Sequence, residues 1–162
     1  TKINIDFLPD DTTKNLWRSE VEKLWKQLVK SIDVLNDALQ DPEESGRTTR
    51  VELRKNYIIM KPIVQFALVD AIKRLMVQGI SFDTALNKAG LLDWSFKNTE
   101  WERIAVLPGD KIITGNQARK LLSRFISYKL GEKLNSTEIK ALEDQYKNLF
   151  DSTENRHLPR PL

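Results

Sequence analysis

Arg119, Lys120 and Arg124, interleaved with Ser123 and Ser127 and followed by Lys129, are the residues whose types and spacing point most clearly to a chemistry. Cations and small hydroxyls on one helix face suit contacts to phosphate, and arginine also reaches base edges in the major groove. No acid falls between 116 and 130, so nothing at i±3 or i±4 in that segment neutralises the charge. Arg119 and Lys120 lie in the first half of the expected helix, where outward amides and the helix dipole favour an anion. A second cluster places Arg47, Arg50 and Arg54 at i, i+3 and i+7, with Lys55 beside them. The candidate contacts to double-stranded DNA are therefore Arg50, Arg54, Lys55, Arg119, Lys120, Arg124 and Lys129. The plainer reading of both clusters is an ordinary solvated helix face.

Other chemistries have few residues to work with. The chain has no cysteine, which removes disulfides, thiolate nucleophiles and iron–sulfur ligation. Its one histidine, His157, cannot build a Ser-His-Asp triad or a histidine metal cage alone. Asp93 and Glu102 could hold a metal or pair as acid and base, but no glycine-rich loop, Asp-x-Asp run or histidine accompanies them. Asp93 reads instead as a turn cap, and Glu102 as the partner of a nearby Arg or Lys. No catalytic residue, metal site or cofactor is expected. Four tryptophans could stack on bases. Trp17 and Trp25 lie on an apolar stripe and read as core, while Trp94 and Trp101 read as the cover of a bundle and the seat of a hairpin.

The elements that position these residues are mostly helical. Val21, Trp25, Leu28, Ile32, Leu35 and Leu39 step by four and three residues, predicting one long helix from Thr13 to Leu39 capped by Asp11. Such a stripe packs inside its own bundle or forms a dimer seam. Residues 43–46 read as an exposed loop. A second helix runs from Thr48 or Thr49 to Gln78 and is kinked or split by Pro62. Being apolar nearly all round from Tyr57 to Val77, it should be the buried centre. A third spans Ser81–Ala89, with Gly90 as its stop. Residues 103–107 and 111–114 form a hairpin around Pro108-Gly109-Asp110. The fourth helix covers Asn116–Leu130, and a fifth begins at Asn135 with Glu138 in capping-box spacing and continues through Phe150. About 25 residues separate the third and fourth helices, too many for a helix-turn-helix. The fold class is thus mainly α, a five- or six-helix bundle around a buried central helix, with one small β-hairpin. Residues 1–150 form a single helical domain, and 151–162 a flexible, polar tail.

With 162 residues, 40% of them hydrophobic and 30% charged, the chain has the composition of a globular domain able to bury its own core. Net charge is +3, but residues 47–78 carry seven bases and two acids, and 103–133 carry the same. Two basic blocks between acidic ones can fold into one positive face. No apolar run approaches the ~20 residues of a membrane span, and the polar start lacks a secretory h-region. A cytoplasmic protein without membrane contact is expected. The start at Thr1 reads as a fragment of a longer protein.

Leu53-Arg54-Lys55-Asn56-Tyr57, then Leu92-Asp93-Trp94-Ser95 with Asn98, Trp101 and Glu102, form an ordered series. It continues through Asn116, Lys129-Leu130-Gly131, Leu134 and Glu138. Over about residues 50–140 it resembles the C-terminal half of the DGQHR-domain family, in particular the DNA phosphorothioation (sulfur modification) members. The Asp-Gln-His-Arg core that names the family is absent, and Phe96 and Arg103 stand where a basic residue and a glycine are expected. The resemblance implies a cytoplasmic prokaryotic protein that binds DNA and regulates the sulfur-modification genes, its N-terminal domain lying outside this chain. The alternative is a protein-interaction or dimerisation domain without direct DNA contact. Its partner is a second copy or another protein of the modification system.

Overall fold

The structure is a computed structural model that describes residues 9–40, 43–150, 154 and 156–162, with the side chains at 40 and 43–48 left out. Among the described residues it holds seven α-helices and a two-stranded antiparallel hairpin, so the protein is mainly α. The helices are α1 (Asp11–Ser31), α2 (Asp33–Gln40), α3 (Glu43–Asn56), α4 (Pro62–Val77), α5 (Phe82–Gly90), α6 (Asn116–Lys129) and α7 (Ser136–Lys147). The hairpin strands are β1 (Val106–Leu107) and β2 (Lys111–Ile112). Five helices were traced for an expected five- or six-helix bundle; the first is divided, and the second is split just before Pro62 as expected, which makes seven.

The first division falls at Ile32, whose backbone is extended at φ −121° and ψ 102°. The Ile32 carbonyl then accepts from Leu35 and Asn36 and starts α2. A straight helix would carry Leu35 past the body; the bend lays Ile32, Leu35 and Ala38 into the core. Asp10, not Asp11, caps α1 by accepting from the Thr13 amide. That bond holds its carboxyl below the ordinary value, so the cap's contribution is kept at neutral pH and lost as pH falls through the acid range.

The second division lies at Tyr57–Lys61, where a 3₁₀ turn (Ile58–Met60) separates α3 from α4. Pro62 occupies the first turn of α4, where its missing amide costs nothing. Glu43–Gly46, expected as a loop, belongs to α3. Arg47 lies on α3 too, but its side chain is outside the described ones. The Tyr57–Ile58 junction pairs with the segment after α5: Ile58 N donates to Trp94 O and Phe96 N to Asn56 O. The first two of the sequence stretches that carry the family resemblance therefore meet in one hydrogen-bonded seam.

α4 is central but not buried all round. Val64, Ala67, Leu68, Ala71, Ile72 and Leu75 are buried, α6 being its main partner, whereas Phe66, Val69, Met76 and Val77 face outward. Trp94 and Trp101 stack with centroids 5.2 Å apart, and Trp101 meets Phe125 edge-on at 5.7 Å. Phe125 in turn stacks on Tyr146 of α7. Trp17 and Trp25, expected in the core, are 58% and 47% exposed, because the first half of α1 extends beyond the body. The expected caps are present at α5, where Ser81 accepts from Thr84 N, and at α7, where Asn135 and Glu138 form the reciprocal capping box. α7 ends at Lys147, short of Phe150.

The hairpin pairs Val106 with Ile112 and Leu107 with Lys111. It is shorter than expected because residues 103–105 turn before it. Arg103 sits at φ 59°, a conformation glycine adopts without steric cost. The glycine expected there from the family pattern is thus accounted for by the backbone. The polar, proline-containing end expected to be poorly ordered makes specific contacts: Leu162 N donates to Lys129 O, and Arg156 pairs with Glu102 at 2.8 Å.

Candidate nucleic-acid interface

α6 positions the first basic cluster. Its N-cap, Gly115, has no side chain to satisfy the first-turn amides, and the helix carries no acid in its first turn. One side is committed to the core: Leu122, Phe125 and Ile126 are buried, and so are Ser123 and Ser127. The hydroxyls expected on the basic face therefore turn inward. Ser127 Oγ donates to Glu132, which also pairs with Arg74 at 2.6 Å.

Lys129 departs from its expected role. Its side chain is 5% exposed, with Nζ 3.1 Å from Glu100 Oε1 and donating to the Arg160 carbonyl. Roughly 180° round the helix from Lys120, it ties α6 to the tail and cannot reach a phosphate. Lys129→Ala should lower stability by about 2 kcal/mol, under the 3–5 typical of a fully buried pair because Glu100 still touches water. Thermal melts check this, and DNA affinity of the folded variant should not change.

Arg119 is half committed. Its Nε lies 3.4 Å from Asp70 Oδ2 of α4, an ion pair whose geometry falls short of a hydrogen bond. The acid comes from another helix, which the spacing within α6 could not reveal. Lys120 and Arg124 stay accessible. With Gln117 of α6 and Gln145 of α7 they line a cleft of about 480 Å³, closed by Ile113 after β2 and by Leu149. Arg103 lines it too, donating to the Leu149 carbonyl and lying over the Phe150 ring. Among the described residues no acid lines this cleft, although Arg103 is also paired with Glu154 at 3.4 Å. Amide and cationic donors around an apolar floor can hold a phosphodiester by charge and hydrogen bonds together.

The second cluster lies on α3. Arg50 and Arg54 are exposed one turn apart. Arg54, Lys55, Asn56 and Lys61 line a second cleft with Phe96 and Asp110. Lys55 Nζ is 2.7 Å from Glu52, an exposed pair that leaves the lysine free to exchange partners. Lys61 Nζ lies 5.5 Å over the Phe96 ring. The hairpin stands between the clusters: Asp110 at its tip borders the α3 cleft, and Ile113 behind it borders the α6 cleft. Gln117, Gln145 and Lys61 escaped the sequence reading. Lys61 stood next to the basic cluster in the sequence, whereas Gln145 is brought in only by the packing of α7 on α6.

The remaining candidates have structural roles. Asp93 Oδ1 accepts from Ser95 N, and the Asp93 carbonyl accepts from Asn98 Nδ2 and Trp101 Nε1. Glu102 pairs with Arg156, as its reading as an ion-pair partner expected. The Asp-Trp-Ser, Asn and Trp positions behind the resemblance are thus a self-bonded loop. Among the described residues no group of three or more His, Cys, Asp or Glu could hold a metal, and no helix is long and apolar enough to cross a membrane.

A family model described as DndB, DNA-sulfur modification-associated, matches residues 3–133, about four-fifths of the chain. The chain belongs to this family. No curated protein and no solved structure matches it. The DndB match spans both basic clusters and the hairpin and ends just before α7, so Gln145 lies outside it.

Proposed function

We propose that this DndB-family chain is a DNA-associated regulatory domain of a sulfur-modification system, a transcriptional regulator of the DGQHR type rather than an enzyme, working in the cytoplasm. It holds duplex DNA through the basic clefts on either side of the hairpin. The observation that carries the reading is the α6 cleft, where Lys120 and Arg124 stand beside Gln117 and Gln145 with no acid among the described lining residues. The family association with DNA sulfur modification supports a DNA partner. Arg50, Arg54 and Lys55 supply further phosphate contacts from the other side, and Arg119 a weaker one because Asp70 already holds it.

Fluorescence anisotropy with labelled duplexes of several sequences tests this. Lys120→Ala and Arg124→Ala should each weaken every duplex alike, because phosphate contacts carry no sequence information. Arg119→Ala should have the smaller effect. A variant that shifts the order of preference among the duplexes would identify a base-reading residue. Wild-type chain that fails to bind any duplex would refute the proposal.

A further inference from the structure

An extended apolar surface lies on the side of α4 away from α6. A groove of about 520 Å³ runs between α1 and α4, walled by Val21, Leu24 and Trp25 and floored by Phe66, Val69 and Met76. These six are 41–63% exposed, and Trp17, 58% exposed, continues the wall. Together the seven expose roughly 800 Å², above the ~300–600 Å² of the largest patch on a typical monomer. That area equals what each partner contributes to a stable complex of standard size, about 800 Å². α1 also needs a cover: from Lys14 to Lys26 every residue is exposed, and a helix of such length is marginal in water on its own.

We infer that a second copy of this chain fills the groove, its α1 lying antiparallel to the first. Trp17, Val21 and Leu24 follow the four-three spacing of a helix–helix seam, which Leu28 continues into the protomer's own core. In the antiparallel register Val21 of each copy meets Leu24 of the other. Arg18 then falls opposite Trp25, and Glu20 opposite Gln27, so no like charges meet. A parallel pairing would stack Lys14 on Lys14 within the seam. α1 and α4 of both copies make a four-helix arrangement closed by a two-fold axis. The contact leaves the basic face of α6 free, because α6 packs on the other side of α4. The inference stands whether or not the chain binds DNA.

Light scattering on the size-fractionated chain reads the mass directly; the monomer is 18.8 kDa. The expected result is a doubled mass across a wide concentration range. Val21→Asp should give a monomer with unchanged helical circular dichroism. Leu16→Asp is the control: Leu16 is 61% exposed on α1, but roughly 120° round the helix from the seam, and the dimer should persist. If Val21→Asp unfolds, Phe66→Asp on α4 reads the same interface. A monomer at every concentration, a dimer that survives the seam variants, or equal dissociation by Leu16→Asp would overturn the inference.

Discussion

Trp101→Ala lowers stability by about 4 kcal/mol and the Tm by ~8–16 °C, the largest effect expected of any single substitution in this chain. Trp101 is fully buried, and its removal acts in three ways. The stack on Trp94 and the edge contact to Phe125 disappear, leaving a cavity too large for the surroundings to fill. The Asp93 carbonyl loses its 2.6 Å indole donor and keeps only Asn98. The loop that carries Glu102 and leads into the hairpin then loses its anchor. Thermal unfolding followed by circular dichroism measures the change. A fall of less than about 1 kcal/mol would contradict the central place given to this ring.

Gly90→Ala should cost about 2–3 kcal/mol, although alanine normally stabilises a helix by ~1 kcal/mol over glycine. Gly90 ends α5 where α1 crosses it. A Cβ there would fall inside the Ser31 carbonyl oxygen, a backbone atom that cannot rotate away. Either the two helices part or α1 shifts along α5. Urea denaturation of the variant decides the sign, and a stabilised variant would show that the crossing is looser than described. Gly90→Ser should behave at least as badly.

The two glycine roles show what was legible in the sequence. Gly79 and Gly131 end their helices at φ 81° and 90°, the left-handed backbone that stops a helix. Gly90 looked like a third such stop, yet it serves a close approach, which depends on a helix nearly sixty residues earlier. The helical class, the caps at Ser81 and Asn135 and the hairpin turn were legible because each follows from neighbours in the chain. The bend at Ile32 was not, because it responds to tertiary burial of Leu35; the split before Pro62 was legible, but its start at Tyr57 depends on pairing with Trp94. Trp17 and Trp25 misled for a related reason: a stripe specifies that a face must be covered, not by what.

The basic clusters divide along the same line. Lys120 and Arg124 remain available, as the lack of local acids suggested. Arg119 and Lys129 satisfy the same local rule but meet Asp70 and Glu100 from elsewhere in the fold. Spacing within a helix identifies which charges are not neutralised locally; only packing identifies which are neutralised at long range.

The central claim, that the basic clefts hold duplex DNA, is tested most directly by the salt dependence of binding. Plotting log K against log salt for the wild-type chain should give a steep negative slope, each phosphate contact contributing about 0.9. The Lys120→Ala/Arg124→Ala double variant should reduce the magnitude of that slope by about 2 while keeping its fold. A slope identical in the two proteins would contradict the account and leave the α6 face a solvated surface.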